Sequence, residues 1–244
     1  MSPADTASTA AGVAAAHAAP TGDAAMETTA AGARRAPLIL FGAFDRHNLG
    51  DLLLGRIAAE LATRLLPGRE VRFAGLAARD LRTDGGARVQ VLAELAREWN
   101  PAPREGAPAW PPASPPALLQ VGGEILGCSA GEAAVMLLDA TGAAHAIALH
   151  DRDPSAREAW ARGVLGNVLG LPYLAPHAAL PPGTRIVHTG IGGVDFASLP
   201  AALRAEALDE LRAAACVQVR DRRTRDALAA AGIEAELVPD PAVL

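Results

Sequence analysis

From residue 37 onward the chain alternates between short apolar runs and longer amphipathic stretches. Leu38-Ile39-Leu40-Phe41-Gly42 is a continuous apolar run closed by glycine, the pattern of a strand buried on both faces. Between Leu49 and Leu66, the residues Leu49, Leu53, Ile57, Leu61 and Leu65 recur every four positions, which predicts a helix ended by Pro67-Gly68. Val71 to Gly75 reads as a second strand. Val89 to Trp99 reads as a helix with Leu92, Leu95 and Trp99 on one side, stopped by Asn100-Pro101. Leu118 to Val121 is a third strand and runs into Gly122-Gly123-Glu124. Helices are expected around 130–140 and 155–169. A strand at Arg185 to His188 then enters Thr189-Gly190-Ile191-Gly192-Gly193. The rest alternates as a helix over 199–215, a strand at Val217 to Val219, a helix from Thr224 to Ala231 and a strand at Ala235 to Val238. Strands alternating with helices predict an α/β domain with a mostly parallel sheet and helices on both faces.

Two segments stand outside this rhythm. Residues 1–36 hold 15 alanines, Gly12, Pro20, Gly22 and Gly32 interrupt any helix, and no large apolar residue recurs at helical spacing. That composition predicts a disordered leader. A secretory signal does not fit, because the start lacks a cationic region and Asp5 precedes any apolar stretch. Arg34-Arg35 is followed by too short an apolar stretch for a twin-arginine signal. Residues 101–116 contain seven prolines and read as a stiff surface connection. The expected organisation is a leader, 1–36, and one domain, 37–244.

Composition then narrows the chemistry. The 22 positive charges of the 244 residues are all arginine, and 27 acidic residues bring the net charge to −5, which argues against a general nucleic-acid binder. No run of 18 strongly apolar residues is present, so no membrane span is expected. The two cysteines, Cys128 and Cys216, suit a reducing cytoplasm. Without lysine there is neither Schiff-base chemistry nor a GxxxxGK[ST] phosphate loop. An anion must then be held by arginine forks, glycine-loop amides or helix starts. His17, His145, His150 and His177 have no metal-ligand spacing, and no metal site is expected. No Gly-x-Ser-x-Gly elbow occurs.

In open α/β sheets ligands bind beyond the carboxyl ends of the strands. Four loops at such positions carry candidate chemistry. Gly42 to Asp51 is not a GxGxxG loop. Asn48 caps the helix or orients a polar ligand, Gly50 permits close approach, and Asp51 complements the helix dipole or joins the site. Gly122-Gly123 is either a tight turn or an amide cradle for an anion, with Glu124 as a general base or a helix-start residue. The loop His188 to Gly193 has glycine at 190, 192 and 193, and His188 is a proton donor near neutral pH or a packed core histidine. In Arg220 to Arg225, Arg220 at the strand end is the preferred anion ligand. Arg222, Arg223 and Arg225 read as a solvated helix start.

Taken in order, these segments resemble the polysaccharide pyruvyl transferase family. The resemblance rests on Phe41-Gly42 through His47-Asn48-Leu49-Gly50-Asp51, the strand into Gly122-Gly123, the Gly190 and Gly192 loop, Val219-Arg220-Asp221 with Thr224, and Val238-Pro239-Asp240-Pro241-Ala242. It spans about 37–244. Glu124 stands where the family often has a third glycine, and 101–116 and 139–182 match no pattern. The resemblance implies a Rossmann-like domain, one half of a two-domain glycosyltransferase-like (GT-B-type) fold. The remaining chain is too short for the other half, which a missing segment, a partner chain or a second copy would supply. It also implies transfer of a pyruvyl group from phosphoenolpyruvate, with no other cofactor, to a glycan or lipid-linked sugar acceptor of a cell-surface polysaccharide, in the cytoplasm. Arg220 then holds the anion, assisted by Asn48, Gly50, Gly122, Gly123, Gly190 and Gly192, with His188, Glu124 and Asp51 as acid–base candidates. Two alternatives remain open: a catalytically inactive module that binds a sugar or anion, and a nucleotide-sugar-dependent glycosyltransferase-like protein.

Overall fold

A computed structural model describes residues 36–99, 117–166 and 169–243. The leader (all but Ala36, which is buried) and the proline-rich connection at 101–116 lie outside these residues. Eight strands form one sheet: β1 (Leu38–Phe41), β2 (Val71–Gly75), β3 (Arg79–Asp80), β4 (Arg88–Val91), β5 (Ala117–Val121), β6 (Arg185–Ile191), β7 (Cys216–Val219) and β8 (Glu236–Leu237). Their order is β3-β4-β2-β1-β5-β6-β7-β8. Every pairing is parallel except β3 with β4. The chain winds outward from β1 to β4, then returns to the other side of β1 with β5. The crevice between the loops after β1 and β5 is therefore the place where such a sheet accepts a ligand.

The helices among the described residues are α1 (Leu49–Leu65), α2 (Leu92–Trp99), α3 (Ala130–Met136), α4 (Ala140–His150), α5 (Pro154–Leu165), α6 (Ala201–Ala213) and α7 (Arg222–Ala230). The alternation of β1 assigns two of them to opposite faces. Leu38 and Leu40 pack with Leu54, Ala58 and Ala62 of α1, whereas Ile39 and Phe41 pack with Leu92, Leu95 and Trp99 of α2. Burying each of these large side chains contributes about 1.5–3 kcal/mol before entropy is counted. A third cluster joins Ile191, Val217 and Val219 of the sheet to Ala207 and Leu211 of α6 and Leu228 of α7.

Several expectations change. The four-residue leucine stripe is not the buried face of α1: Leu49 is 79% and Leu65 75% exposed. A spacing of four drifts about 40° per step round the helix, so the row winds away from the sheet. The buried face carries Leu52 and Leu54 together with the small residues Gly55, Ala58 and Ala62, and an added Cβ at Gly55 would lie 2.9 Å from the Phe44 ring. The helix expected over Val89 to Trp99 begins only at Leu92. Arg88 to Val91 is strand, with Val89 and Gln90 paired to Phe73 and Ala74. The segment 130–150 is two helices, split where Asp139 caps α4 by accepting the Gly142 N–H. Finally, β6 continues past His188 to Ile191, which pairs with Val219.

Candidate functional site

The carboxyl ends of β1, β5, β6 and β7 bring four loops together. In the loop after β1, Asp45 is buried and ties three segments. Its Oδ2 accepts the Leu76 N–H at 2.6 Å and the Ala77 N–H at 2.9 Å, and its Oδ1 accepts the Tyr173 hydroxyl at 3.0 Å. Burial pushes the Asp45 carboxyl above its ordinary range, and these hydrogen bonds oppose the rise. A Cβ at Gly75 would approach Asp45 Oδ2 to 2.6 Å, so glycine there makes room for the strut. The neighbouring Arg46 donates from Nε and Nη2 to Asp51 Oδ2, at 3.1 and 2.9 Å, and lies over the Tyr173 ring at 5.6 Å from its centre. Asp51 is the first-turn acid of α1. Burial pushes its carboxyl up more strongly than Arg46 pulls it down, and Arg220 adds a smaller downward pull.

Asn48 and Gly50 lie at the exposed start of α1. The Asn48 side chain turns back and accepts the Gly50 N–H at 3.1 Å, which is a helix cap. An added Cβ at Gly50 would touch only that same side chain, at 3.4 Å, so nothing in the fold requires glycine there.

After β5, Gly122 and Gly123 both have left-handed backbones, with φ of 50° and 81°. One polar group of each is used within the fold. The Gly122 N–H donates to Thr189 O and the Gly123 carbonyl accepts the Gly192 N–H, each at 2.8 Å. Gly190 also has positive φ, and Pro241 packs where its Cβ would be. The Gly193 N–H donates to Thr224 Oγ1 at 2.9 Å. The amides of Gly122, Gly192 and Gly193 therefore stitch the loops to one another instead of forming an open cradle.

Arg220 sits at the end of β7 between two carboxylates. Nη2 meets Glu124 Oε2 at 2.9 Å and Nη1 meets Asp240 Oδ2 at 3.1 Å. The remaining Glu124 oxygen accepts the Val194 N–H at 2.6 Å. Gly192 clears the space for this pair, since a Cβ there would fall on Glu124 Oε2 and within 2.9 Å of Arg220 Nε. Asp221 caps α7 by accepting from the Thr224 N–H and hydroxyl, at 2.7 and 2.6 Å. Beside the network lies a cavity of about 510 Å³ lined by Arg46, Glu124, Cys128, Glu132, Arg157 and Asp195 among others. Cys128 is no thiolate nucleophile, because burial pushes its thiol up to about 12.

His188 is not part of this constellation. Because β6 runs on to Ile191, His188 lies within the strand, paired with Gln120 and Val217 and fully buried. Neither ring nitrogen has a hydrogen-bond partner among the described residues, and burial pulls the imidazole down to about 3. It is a neutral core histidine at neutral pH, which removes it as proton donor. Glu124, Asp51, Gly123, Gly192 and Arg220 are brought together. Asn48 and Gly50 lie at the rim, in the cap of α1.

Sequence reasoning passed over Asp45, Arg46, Tyr173 and Asp240. Asp45 and Arg46 stood in the loop already singled out, and Asp240 in the closing Asp-Pro-Ala. Tyr173 carried no local signal beyond being the chain's one tyrosine.

Among the described residues no group of three or more His, Cys, Asp and Glu side chains is arranged to hold a metal, and no helix is long and apolar enough to cross a membrane. No protein-family model, no curated protein and no solved structure matches the chain.

Proposed function

We propose that the crevice binds an oxyanion substrate through Arg220, and that the protein is a pyruvyl-transferase-like enzyme acting in the cytoplasm on phosphoenolpyruvate and a glycan or lipid-linked sugar. The observation that carries this reading is the placement of Arg220. It stands half-buried at the carboxyl end of a strand, oriented by Asp240 and paired with Glu124, which lines an open cavity, in a chain that has no lysine to take that part. Arg46, held by Asp51 and Tyr173, supplies a cation on the cavity wall itself, which Arg220 adjoins through its partner Glu124. Likeness to one half of a two-domain glycosyltransferase-like fold belongs to the same proposal. The sheet order supports it, with its change of winding direction between β1 and β5.

The reaction adds two sugar hydroxyl oxygens to the central carbon of phosphoenolpyruvate, protonates its methylene carbon to methyl and releases inorganic phosphate. It requires a base, an acid and cationic contacts for carboxylate and phosphate. Glu124 is the candidate base on the cavity wall. Asp51, whose proton affinity burial raises, is the candidate acid. The test is release of inorganic phosphate from phosphoenolpyruvate across a panel of glycans. Release that depends on a glycan and falls at least tenfold in Arg220→Gln supports the reading, and no release with any acceptor defeats it.

One observation favours a second reading, an anion-binding module without turnover. Both remaining acid–base candidates are ion-paired, Asp51 with Arg46 and Glu124 with Arg220. Phosphoenolpyruvate binding without phosphate release on any glycan would select it.

A further inference from the structure

The backbone amides of the loops around Arg220 are not equivalent. Those of Gly122 and Gly192 donate to backbone carbonyls, and that of Gly193 to the buried Thr224 hydroxyl. The Val194 amide instead donates to a side chain that reaches solvent: the Glu124 carboxylate, whose side chain is 41% exposed. That carboxylate spans two donors, with Oε1 on the Val194 N–H at 2.6 Å and Oε2 on Arg220 Nη2 at 2.9 Å. An amide and a guanidinium gripping adjacent oxygens of one anion is how proteins hold carboxylate and phosphate groups. Here the gripped group is the protein's own.

We infer that Glu124 is an internal stand-in for the substrate's anion. The binding position consists of the Arg220 guanidinium and the Val194 N–H, and an incoming phosphate or carboxylate takes these two donors while Glu124 swings into the adjoining cavity. This rests on the reading of Arg220 as anion ligand and deepens it. Three features make the exchange feasible. Arg220 does not lose its orientation when Glu124 leaves, because Asp240 holds Nη1 at 3.1 Å and the Arg220 N–H stays on Ile191 O at 3.2 Å. The Glu124–Arg220 pair is partly exposed, and such pairs are weakly held. Gly192 contributes no side chain where the anion would sit. The exchange also links binding to chemistry: the same anion that occupies Arg220 frees the Glu124 carboxylate to accept a proton from the acceptor hydroxyl.

The test titrates inorganic phosphate and, separately, pyruvate into ¹⁵N-labelled wild type, Glu124→Gln, Glu124→Ala and Arg220→Gln. The Val194 amide resonance and the overall affinity are followed. If Glu124 competes with the ligand, both Glu124 variants bind the effective anion about tenfold more tightly than wild type, since a like charge is removed from its place. Val194 shifts on binding, and Arg220→Gln loses the response. The arm that moves Val194, phosphate or pyruvate, identifies which oxyanion of phosphoenolpyruvate occupies the position. Equal or weaker binding by both Glu124 variants, or a Val194 resonance that neither anion moves, overturns the inference and leaves Arg220 in the site. Undiminished binding by Arg220→Gln instead removes the anion reading itself. The isosteric Glu124→Gln guards against a folding defect in Glu124→Ala.

Discussion

His188→Leu should stabilise the protein and flatten its acid unfolding. In the native state the imidazole is fully buried, with neither nitrogen hydrogen-bonded among the described residues, and burial pulls it down to about 3. In the unfolded chain it titrates near its ordinary value of about 6.5. Between those two values the unfolded state binds a proton that the folded state refuses. Stability from this group is therefore fully present above about 6.5 and is lost as pH falls toward 3. At about 1.4 kcal/mol per pH unit, that is about 3 kcal/mol between pH 6.5 and 4, and 4–5 kcal/mol over the whole window. Against a typical total of about 5–15 kcal/mol this one side chain sets much of the acid limb. Leucine fills a similar volume without the orphaned nitrogens, so at pH 7 the variant should gain about 1–2 kcal/mol. Urea unfolding at pH 7, 6, 5 and 4 measures both effects. Stability curves for wild type and variant that run parallel in pH would refute the reasoning, as would a His188 ring that titrates near 6.5 by NMR.

Substitutions at three further positions probe the site's scaffold. Gly192→Ala places a Cβ on Glu124 Oε2, but its backbone lies outside the left-handed region and the obstacles are movable side-chain ends. It should cost about 1 kcal/mol in thermal unfolding, and a loss above about 3 kcal/mol would show that the backbone itself cannot adjust. Tyr173→Phe removes the buried hydroxyl from Asp45 and should cost about 2 kcal/mol in urea unfolding; an unchanged midpoint would show that the strut contributes nothing. Asn48→Ala should cost about 1 kcal/mol and Asn48→Asp almost nothing, because either an amide or a carboxylate oxygen caps α1; equal losses in the two would contradict the capping role.

How much of this was legible in the chain follows from where each signal is stored. β1, β2 and β5 could be read because strands covered by helices on both faces are written as nearly unbroken apolar runs. β3 could not, since it is a two-residue exposed edge with no apolar pattern. β4 and α2 abut without glycine or proline between them, so one amphipathic stretch held both. The leucine stripe of α1 misled because the face against Phe44 and the sheet is a different one, on which Leu54 packs beside the small residues Gly55, Ala58 and Ala62. Within the site, Arg220 and Glu124 announced themselves as polar residues at strand ends. The fate of His188 was hidden, because it depended on whether β6 ended at residue 188 or 191. The link between Asp45 and Tyr173 crosses 128 positions and leaves no local trace.

The central claim is that Arg220 is the anion ligand of the crevice, and calorimetric titration of phosphoenolpyruvate into wild type and Arg220→Gln tests it most directly. Losing a charge-assisted guanidinium contact should weaken binding by about ten- to a hundredfold, while the variant keeps its cooperative unfolding. Equal affinity in the two proteins would contradict the account, because Arg220 would then serve only to hold Glu124 and Asp240.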